Sequence, residues 1–302
     1  MICASVIICT HNPRRHYLNR VLDALRKQTL PFEQWELLLI DNASKEPLTS
    51  KTWDISWHPH ARHLREEKLG LSSARLRGMR EAISDLLVFV DDDNVLAPNY
   101  LSEVSRIKRE WPLLGVWGSG ATIPEFEVKP ADNLEGFLWM LALRVVDGAR
   151  WSNVFQCHGA RPFGAGQCVR ANVALAYRDH FEQSAVKVDD RSGSTLSGGG
   201  DMEICFVACN MGLGVGIFPE LKLTHLIPKE RVIDSYLVRL SEGIGMSGHL
   251  LAYKWENIVP GRLGFLHVLK NLVVLKGIQR RMYIARVRAR RRALKVILKH
   301  AE

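Results

Sequence analysis

A chain of 302 residues can bury a sizeable core and suits one large or two small domains. Its apolar fraction of 47% and charged fraction of 24% are those of an ordinary soluble globular protein, and no stretch reaches the roughly 18 continuous apolar residues that a transmembrane helix needs. The net charge of +9 is local: Gly264 to Glu302 carries 11 Lys and Arg against 1 acid, and the rest of the chain 30 against 31.

The N-terminal run Met1–Thr10 has the look of a short signal sequence but lacks a basic start, and it reads as a buried first strand, Ser5–Cys9. After the loop Thr10-His11-Asn12-Pro13, Tyr17–Lys27 has helical spacing, with Leu18, Val21, Leu22 and Leu25 on one face. Pro31 breaks that helix, and Trp35–Ile40 is a second strand ending in Asp41-Asn42-Ala43-Ser44. A short strand is expected near His63-Leu64-Arg65, then a helix over Leu71–Ile83 and a strand over Leu86–Val90. Strands alternating with helices at this spacing indicate βαβ units and a largely parallel sheet. Beyond Pro98 a helix is expected to about Trp111, then a strand over Leu114–Gly118. The middle, Ala121–Gln183, is irregular and rich in Trp, Gly and Pro, as suits the substrate side of a cleft. A helix over Met202–Met211, a strand over Val215–Phe218 and a helical remainder complete the chain.

The strand Leu86–Val90 ends in three consecutive carboxylates, Asp91, Asp92 and Asp93. A strand interior does not tolerate unpaired carboxylates, so the triplet must lie where the chain leaves the sheet. Ligands of open α/β sheets collect there. Like charges this close are held together by a divalent cation and its phosphate ligands, and an acidic turn before the next helix is the structural alternative. Thr10-His11-Asn12 and Asp41-Asn42-Ala43-Ser44 end two further strands, so all three segments share one rim of a parallel sheet. Neither GxGxxG after the first strand nor GxxxxGK[ST] occurs, so the dinucleotide and P-loop readings lack their phosphate cradle.

Four blocks, Ser5-Val6-Ile7-Ile8-Cys9-Thr10-His11-Asn12, Leu39-Ile40-Asp41-Asn42-Ala43-Ser44, Gly70-Leu71-Ser72-Ser73-Ala74-Arg75-Leu76-Arg77-Gly78 and Phe89-Val90-Asp91-Asp92-Asp93, resemble those of family 2 glycosyltransferases in order and spacing. The resemblance runs over about residues 4–225. It implies an inverting enzyme with an α/β fold of the GT-A, Rossmann-like type: a mostly parallel mixed sheet with flanking helices, here with a basic helical C-terminal extension. On that resemblance residues 1–230 form the catalytic domain, with a donor half (about 1–118) and an acceptor half (about 119–230), and residues 231–302 form the extension. Thr10, Asn12, Asp41, Arg75, Asp91 and Asp92 are then expected on the nucleotide and donor side, Asp41 at the base. Asp91 and Asp93 become the metal-binding DxD element for Mn²⁺ or Mg²⁺, with Asp93 the direct ligand and Asp91 toward the ribose or a metal-bound water. Leu76 stands where the family often has Asn.

Gly198-Gly199-Gly200-Asp201-Met202-Glu203 resembles the family's Gly-Gly-Glu-Asp-x-Glu helix start, with Gly200 in place of the first acid. The resemblance makes Asp201 the general base, because a sugar hydroxyl needs a carboxylate to take its proton during attack; alone, Asp201 reads as a helix N-cap. Glu203 and the turn Gly164-Ala165-Gly166 are expected on the acceptor and donor-sugar side, although a structural bulge would use the same glycines. His225 matches a histidine that some such enzymes use as a further metal or diphosphate ligand, with Arg231 a weaker candidate, and a structural histidine is the alternative. His58, His60 and His63 show no ligand spacing and are read as surface residues.

Cys3, Cys9, Cys157, Cys168, Cys205 and Cys209 lack CxxC spacing and read as reduced core thiols of a cytoplasmic protein. The segment 264–302 joins apolar residues to dense Arg and Lys, as in an interfacial helix drawn to an anionic membrane. A helix packed on the body is its alternative, and nucleic acid is not expected because only Tyr283 accompanies the arginines. The function expected is transfer of a sugar from a nucleotide-diphosphate sugar, a UDP-sugar first, to a hydroxyl of a saccharide or lipid-linked saccharide, in cell-surface polysaccharide or glycolipid synthesis at the inner face of the membrane. The alternatives are a sugar-nucleotide nucleotidyltransferase and a catalytically silent, membrane-docked sugar-nucleotide binder.

Overall fold

A computed structural model describes residues 2–156, 159–188, 190, 196 and 198–301. Cys157 lies outside the described residues. The chain divides into two compact units, one of Met1–Glu125, Ala142–Glu182 and Asp201–Leu226, the other of Phe126–Leu141, Gln183–Gly200 and Ile227–Glu302.

The first unit opens with β1 (Ala4–Thr10), α1 (Arg15–Arg26), β2 (Trp35–Asn42), β3 (Ala61–Glu66), α2 (Leu71–Glu81) and β4 (Leu86–Asp91). It continues with β5 (Asn94–Leu96), α3 (Tyr100–Glu110) and β6 (Leu114–Phe126). The short strands β7 (Arg144–Val145), β8 (Arg150–Ser152) and β9 (Cys168–Arg170) follow, then α4 (Ala171–Gln183), α5 (Gly200–Asn210) and β10 (Gly214–Ile227). The strands form one mixed sheet in the order β3-β2-β1-β4-β9-β6-β10-β5, with β7 on β6 and β8 on β10. Strands β3, β2, β1 and β4 run parallel, as the βαβ spacing predicts.

Alternation along the strands sorts the two faces of the sheet. Val6, Ile8, Leu37, Leu39, Val88 and Val90 join Leu18, Val21, Leu22 and Leu25 of α1 and Leu101, Val104 and Ile107 of α3 in one core. Ile7 points to the other face, where α2 crosses so closely that a Cβ on Gly78 would lie 2.5 Å from Ile7 Cγ2. Register then sets the rim: Thr10 pairs with Asp41, and Cys9 with Asp91. Three strands therefore end level.

The middle of the chain is more regular than its composition suggests. Strand β6 runs on to Phe126, and β10 from Gly214 to Ile227. Helix α4 buries Val173, Ala174, Tyr177 and Phe181 at helical spacing. Strand β9 has three residues and gains its order from its neighbours β4 and β6.

One expectation about the histidines is corrected. His58 is buried in an aromatic nest, with ring centroids 4.1 Å from Trp35, 5.6 Å from Trp57 and 5.3 Å from Phe32. His63 is half-buried and His60 exposed. The rings around His58 exclude the water that would solvate an imidazolium.

The second unit contains a 3₁₀ segment, Asp132–Leu141, and three helices: α6 (Asp234–Glu256), α7 (Phe265–Val274) and α8 (Gly277–Ala301). Helix α8 buries Ile278, Met282, Ala285, Ala289, Ala293 and Ile297, a stripe spaced by three and four residues. It packs along α6, where a Cβ on Gly245 would stand 3.2 Å from Ala289 Cβ. Arg281 pairs with Asp234 (3.0 Å) and Arg292 with Glu242 (2.7 Å). The apolar stripe of the basic helix is thus spent on the protein. No helix among the described residues is long and apolar enough to cross a membrane.

Burial pulls the His58 imidazole down to about 4 from 6.5, with His60 adding to the effect. The unfolded chain then binds the extra proton between these values, so folding stability present above pH 6.5 is lost as pH falls toward about 4. His58→Phe should flatten that acid slope, as read by urea unfolding at a series of pH values.

Candidate active site

The acidic turn at the end of β4 is built by its neighbours. Thr10 donates its hydroxyl to Asp92 Oδ2, which ties the tip of β1 to the turn. Asp91 Oδ1 lies 3.7 Å from Nη2 of Arg75, a guanidinium that α2 buries against the Phe89 ring (5.8 Å). Asp93 turns the other way and is buried. Its Oδ1 accepts from Asn94 Nδ2 (2.9 Å), and its Oδ2 lies 3.5 Å from His225 Nε2. Pairing of β10 with β5 sets that contact, because His225 stands opposite Asn94.

Asp93 and His225 could hold a metal ion. A carboxylate and an imidazole suit Mn²⁺, and the adjacent Asn94 Oδ1 is buried without a hydrogen-bond partner. Among the described residues no group of three His, Cys, Asp or Glu side chains is gathered as a metal site. The protein would supply part of a coordination shell, with the remaining places left to water and phosphate oxygens.

The second strand tip is held as firmly. Asp41 Oδ1 accepts from the Ser44 amide (3.0 Å), and Oδ2 from the Leu48 amide (3.2 Å) and Arg65 Nη1 (2.6 Å). Burial raises the affinity of this carboxyl for its proton, but the bonds from Ser44, Leu48 and Arg65 outweigh it and hold the group below the usual carboxylate range. Asn12, at φ 49°, receives the Lys45 amide on Oδ1 (2.9 Å) and gives its own amide to Ser44 Oγ (2.8 Å), so the loops after β1 and β2 are stitched together.

Asp201 opens α5 with both carboxylate oxygens engaged. Oδ2 accepts the Gly164 amide (2.8 Å) and Oδ1 the Met202 amide (2.8 Å). Gln167 Nε2 donates to the Asp201 carbonyl (3.0 Å). The amides of Gly199 and Gly200 go to Asp190 (3.0 and 2.9 Å). A Cβ on Gly200 would lie 2.4 Å from Asp190 Oδ2, so this aspartate fills the room next to the position where the family pattern has an acid.

The turn Gly164-Ala165-Gly166 answers to the protein around it. A Cβ on Gly164 would lie 2.5 Å from Arg75 Nη2, and one on Gly166, at φ +68°, 2.3 Å from the Tyr100 hydroxyl. Tyr100 donates to the Gly166 carbonyl (2.7 Å), and Ala165 is buried. Asp91, Arg75, Gly164 and Asp201 therefore form a continuous series from the acidic turn to α5. Glu203 is fully buried, with its carboxylate 3.6 Å from His180 of α4. Arg231 belongs to the second unit. Cys168 and Cys205 are buried thiols held well above their ordinary range by desolvation.

Residues 5–131 match the model of Glycosyl transferase family 2. The match covers the three strand tips and the Arg75 block. The chain is 24% identical over 238 residues to "Inactive polypeptide N-acetylgalactosaminyltransferase-like protein 5" of Macaca fascicularis, covering 75% of this chain and 52% of that protein. It thus spans about half the length of that relative. The fold is similar to that of S. aureus TarS 1-349 in complex with UDP (TM-score 0.53, 12% identity, 99% of this chain and 92% of that one). It is also similar to the mannosyltransferase PcManGT from Pyrobaculum calidifontis in complex with GDP-Man and Mn²⁺ (TM-score 0.53, 16% identity, 98% and 73%). The GT-A fold expected from the motif blocks is the fold observed.

Sequence reasoning passed over Asn42, whose Nδ2 donates to the Lys68 carbonyl (2.8 Å) and whose Oδ1 takes the Gly70 amide (2.8 Å) at the start of α2. It also passed over Arg144, which donates to the Arg161 carbonyl (2.7 Å) and lies 4.1 Å over the Phe163 ring. The signal for the first was its place directly after Asp41.

Gly166→Ala should cost about 2–4 kcal/mol, from the left-handed backbone and the contact with Tyr100. Adding Tyr100→Phe should recover part of that loss in a chemical-unfolding cycle, because it removes the atom that a Cβ meets first.

Proposed function

We propose that the chain is an inverting glycosyltransferase that moves a sugar from a nucleotide-diphosphate sugar, a UDP-sugar first, to an acceptor hydroxyl. The observation that carries the reading is the series from Asp91 through Arg75 and Gly164 to Asp201, which connects the acidic strand end to a second carboxylate. Thr10, Asn12, Asp41 and Arg75 take the nucleotide side, together with Asp91 and Asp92. Asp93 and His225 would hold Mn²⁺ or Mg²⁺, with Asp91 toward the ribose or a metal-bound water. When bound, the ion supplies positive charge for the leaving diphosphate.

Asp201 takes the proton of the acceptor hydroxyl as its oxygen attacks the anomeric carbon from the side opposite the diphosphate. The C–O bond to the sugar forms while the bond to the phosphate oxygen breaks, so one displacement inverts the centre. The amides on Asp201 orient its carboxylate for this task. Gly164, Ala165 and Gly166 line the sugar side through their backbone, and Glu203 acts from beneath the surface as a positioning residue.

The acceptor is a saccharide or lipid-linked saccharide of cell-surface polysaccharide or glycolipid synthesis, met at the inner face of a membrane. A catalytically silent sugar-nucleotide binder is the second reading, favoured by the likeness to the macaque protein named as inactive.

A panel of sugar nucleotides should raise the melting temperature in the presence of Mn²⁺, with a UDP-sugar giving the largest shift. No shift with any donor would overturn the proposal. Asp93→Asn and His225→Ala should each weaken the Mn²⁺-dependent shift by about tenfold or more in donor concentration. Asp201→Asn should keep the shift and lose turnover by about 10²–10⁴-fold. Full activity in that variant would remove Asp201 from the chemistry, and donor binding without turnover in the unmodified chain would establish the silent binder.

A further inference from the structure

Helix α7 is the least covered apolar element of the second unit. Phe265 is 77% exposed, Leu266 78% and Val273 72%, and Leu269 is exposed as well. At 100° per residue these four side chains fall within about 100° of arc, so they form one face of the helix. Val268 and Leu272, on the adjoining arc, are half-buried. A helix face of this kind has no reason to exist in water alone.

Immediately before α7 the chain forms one wall of a cavity of about 360 Å³, with α8 as the other wall. Its lining joins four cations, Arg262, Arg290, Arg291 and Lys295, to aliphatic side chains that include Leu263 and Leu294. Arg290 is fixed in place by its bond to the Gly261 carbonyl (2.5 Å). Among the described residues no acid lines the cavity. Elsewhere on α8, Arg281 and Arg292 are neutralised by Asp234 and Glu242. The cations around the cavity are grouped without such a carboxylate, so they favour an anion with an apolar part.

We propose that this cavity binds the phosphate of an anionic lipid headgroup at a bilayer surface while the Phe265, Leu266, Leu269 and Val273 face of α7 enters the acyl boundary. The charge complementarity and the adjoining apolar face select a membrane over a soluble anion, which would use the cations and leave α7 bare. The stripe of α8 that would otherwise bury itself in lipid is occupied by α6, so α8 contributes its charge and α7 the insertion. The proposal rests on the membrane-surface part of the functional reading above, and it is independent of the donor chemistry.

The test is sedimentation of the full chain with vesicles of phosphatidylcholine alone or mixed with phosphatidylglycerol. The unmodified chain is expected to sediment with the mixed vesicles only, and less at high salt. Arg291→Glu/Lys295→Glu and, separately, Phe265→Ser/Leu266→Ser should each weaken binding by about tenfold or more. All these side chains are exposed, and an unchanged melting temperature and donor-induced shift would show that both variants are folded. Undiminished vesicle binding by either pair would overturn the assignment while leaving the membrane reading intact. Failure of the unmodified chain to bind anionic vesicles would overturn both. Retention of single-stranded RNA with indifference to vesicles would overturn them in favour of nucleic acid. A donor panel that fails while the vesicle results hold would sink the enzyme reading alone.

Discussion

A buried guanidinium, that of Arg75, organises the strand ends of the first unit. Arg75 comes from α2, which Gly78 lets down onto Ile7 of β1, so its position is tied to the centre of the sheet. From there it faces Asp91 on one side and the backbone of Gly164 on the other. Three adjacent carboxylates on one turn repel each other, and each is drawn off in a different direction: Asp91 toward Arg75, Asp92 to the Thr10 hydroxyl, and Asp93 to Asn94 and His225. The turn is therefore pre-formed. A charged ligand meets a fixed arrangement and does not have to order one, which is how binding energy is conserved for chemistry.

The N-terminal part of the sheet was legible because its constraints are local. Strand length, the helix spacing of Leu18, Val21, Leu22 and Leu25, and the abrupt change from Val90 to Asp91 are properties of short segments. In a parallel sheet they also fix which tips are neighbours. What the segments do not carry is the direction of each side chain. Asp91, Asp92 and Asp93 are the same residue three times over, and only the pairing of β10 with β5 brings His225 to one of them. Likewise the glycines of the 164–166 turn read equally well as a ligand floor or a bulge. The structure shows that Arg75 and Tyr100 already claim the space above them.

The middle and the tail were harder for a different reason. Strand β9 has three residues, and its order comes from partners more than 40 residues away in sequence, Leu86–Val88 and Val116–Trp117. Helix α4 did carry its own signal, in Val173, Ala174, Tyr177 and Phe181, but the Gly, Pro and Trp around it masked the period. In the tail, two helices with opposite fates lie end to end. The stripe of α8 is built on Ala285, Ala289 and Ala293, small enough for Gly245 of α6 to approach, whereas α7 carries Phe, Leu and Val on a face that nothing in its unit covers. Small residues at helical spacing mark a helix that meets another helix closely. Large ones beside a run of cations mark a helix that meets something else.

At Gly200 the packing leaves no room for a side chain. A side chain there would collide with the carboxylate of Asp190, and that carboxylate takes the amides of Gly199 and Gly200. At the start of α5 the carboxylate of Asp201 accepts the amides of Gly164 and Met202. Glycine at 200 is thus a consequence of where the neighbouring acid comes from.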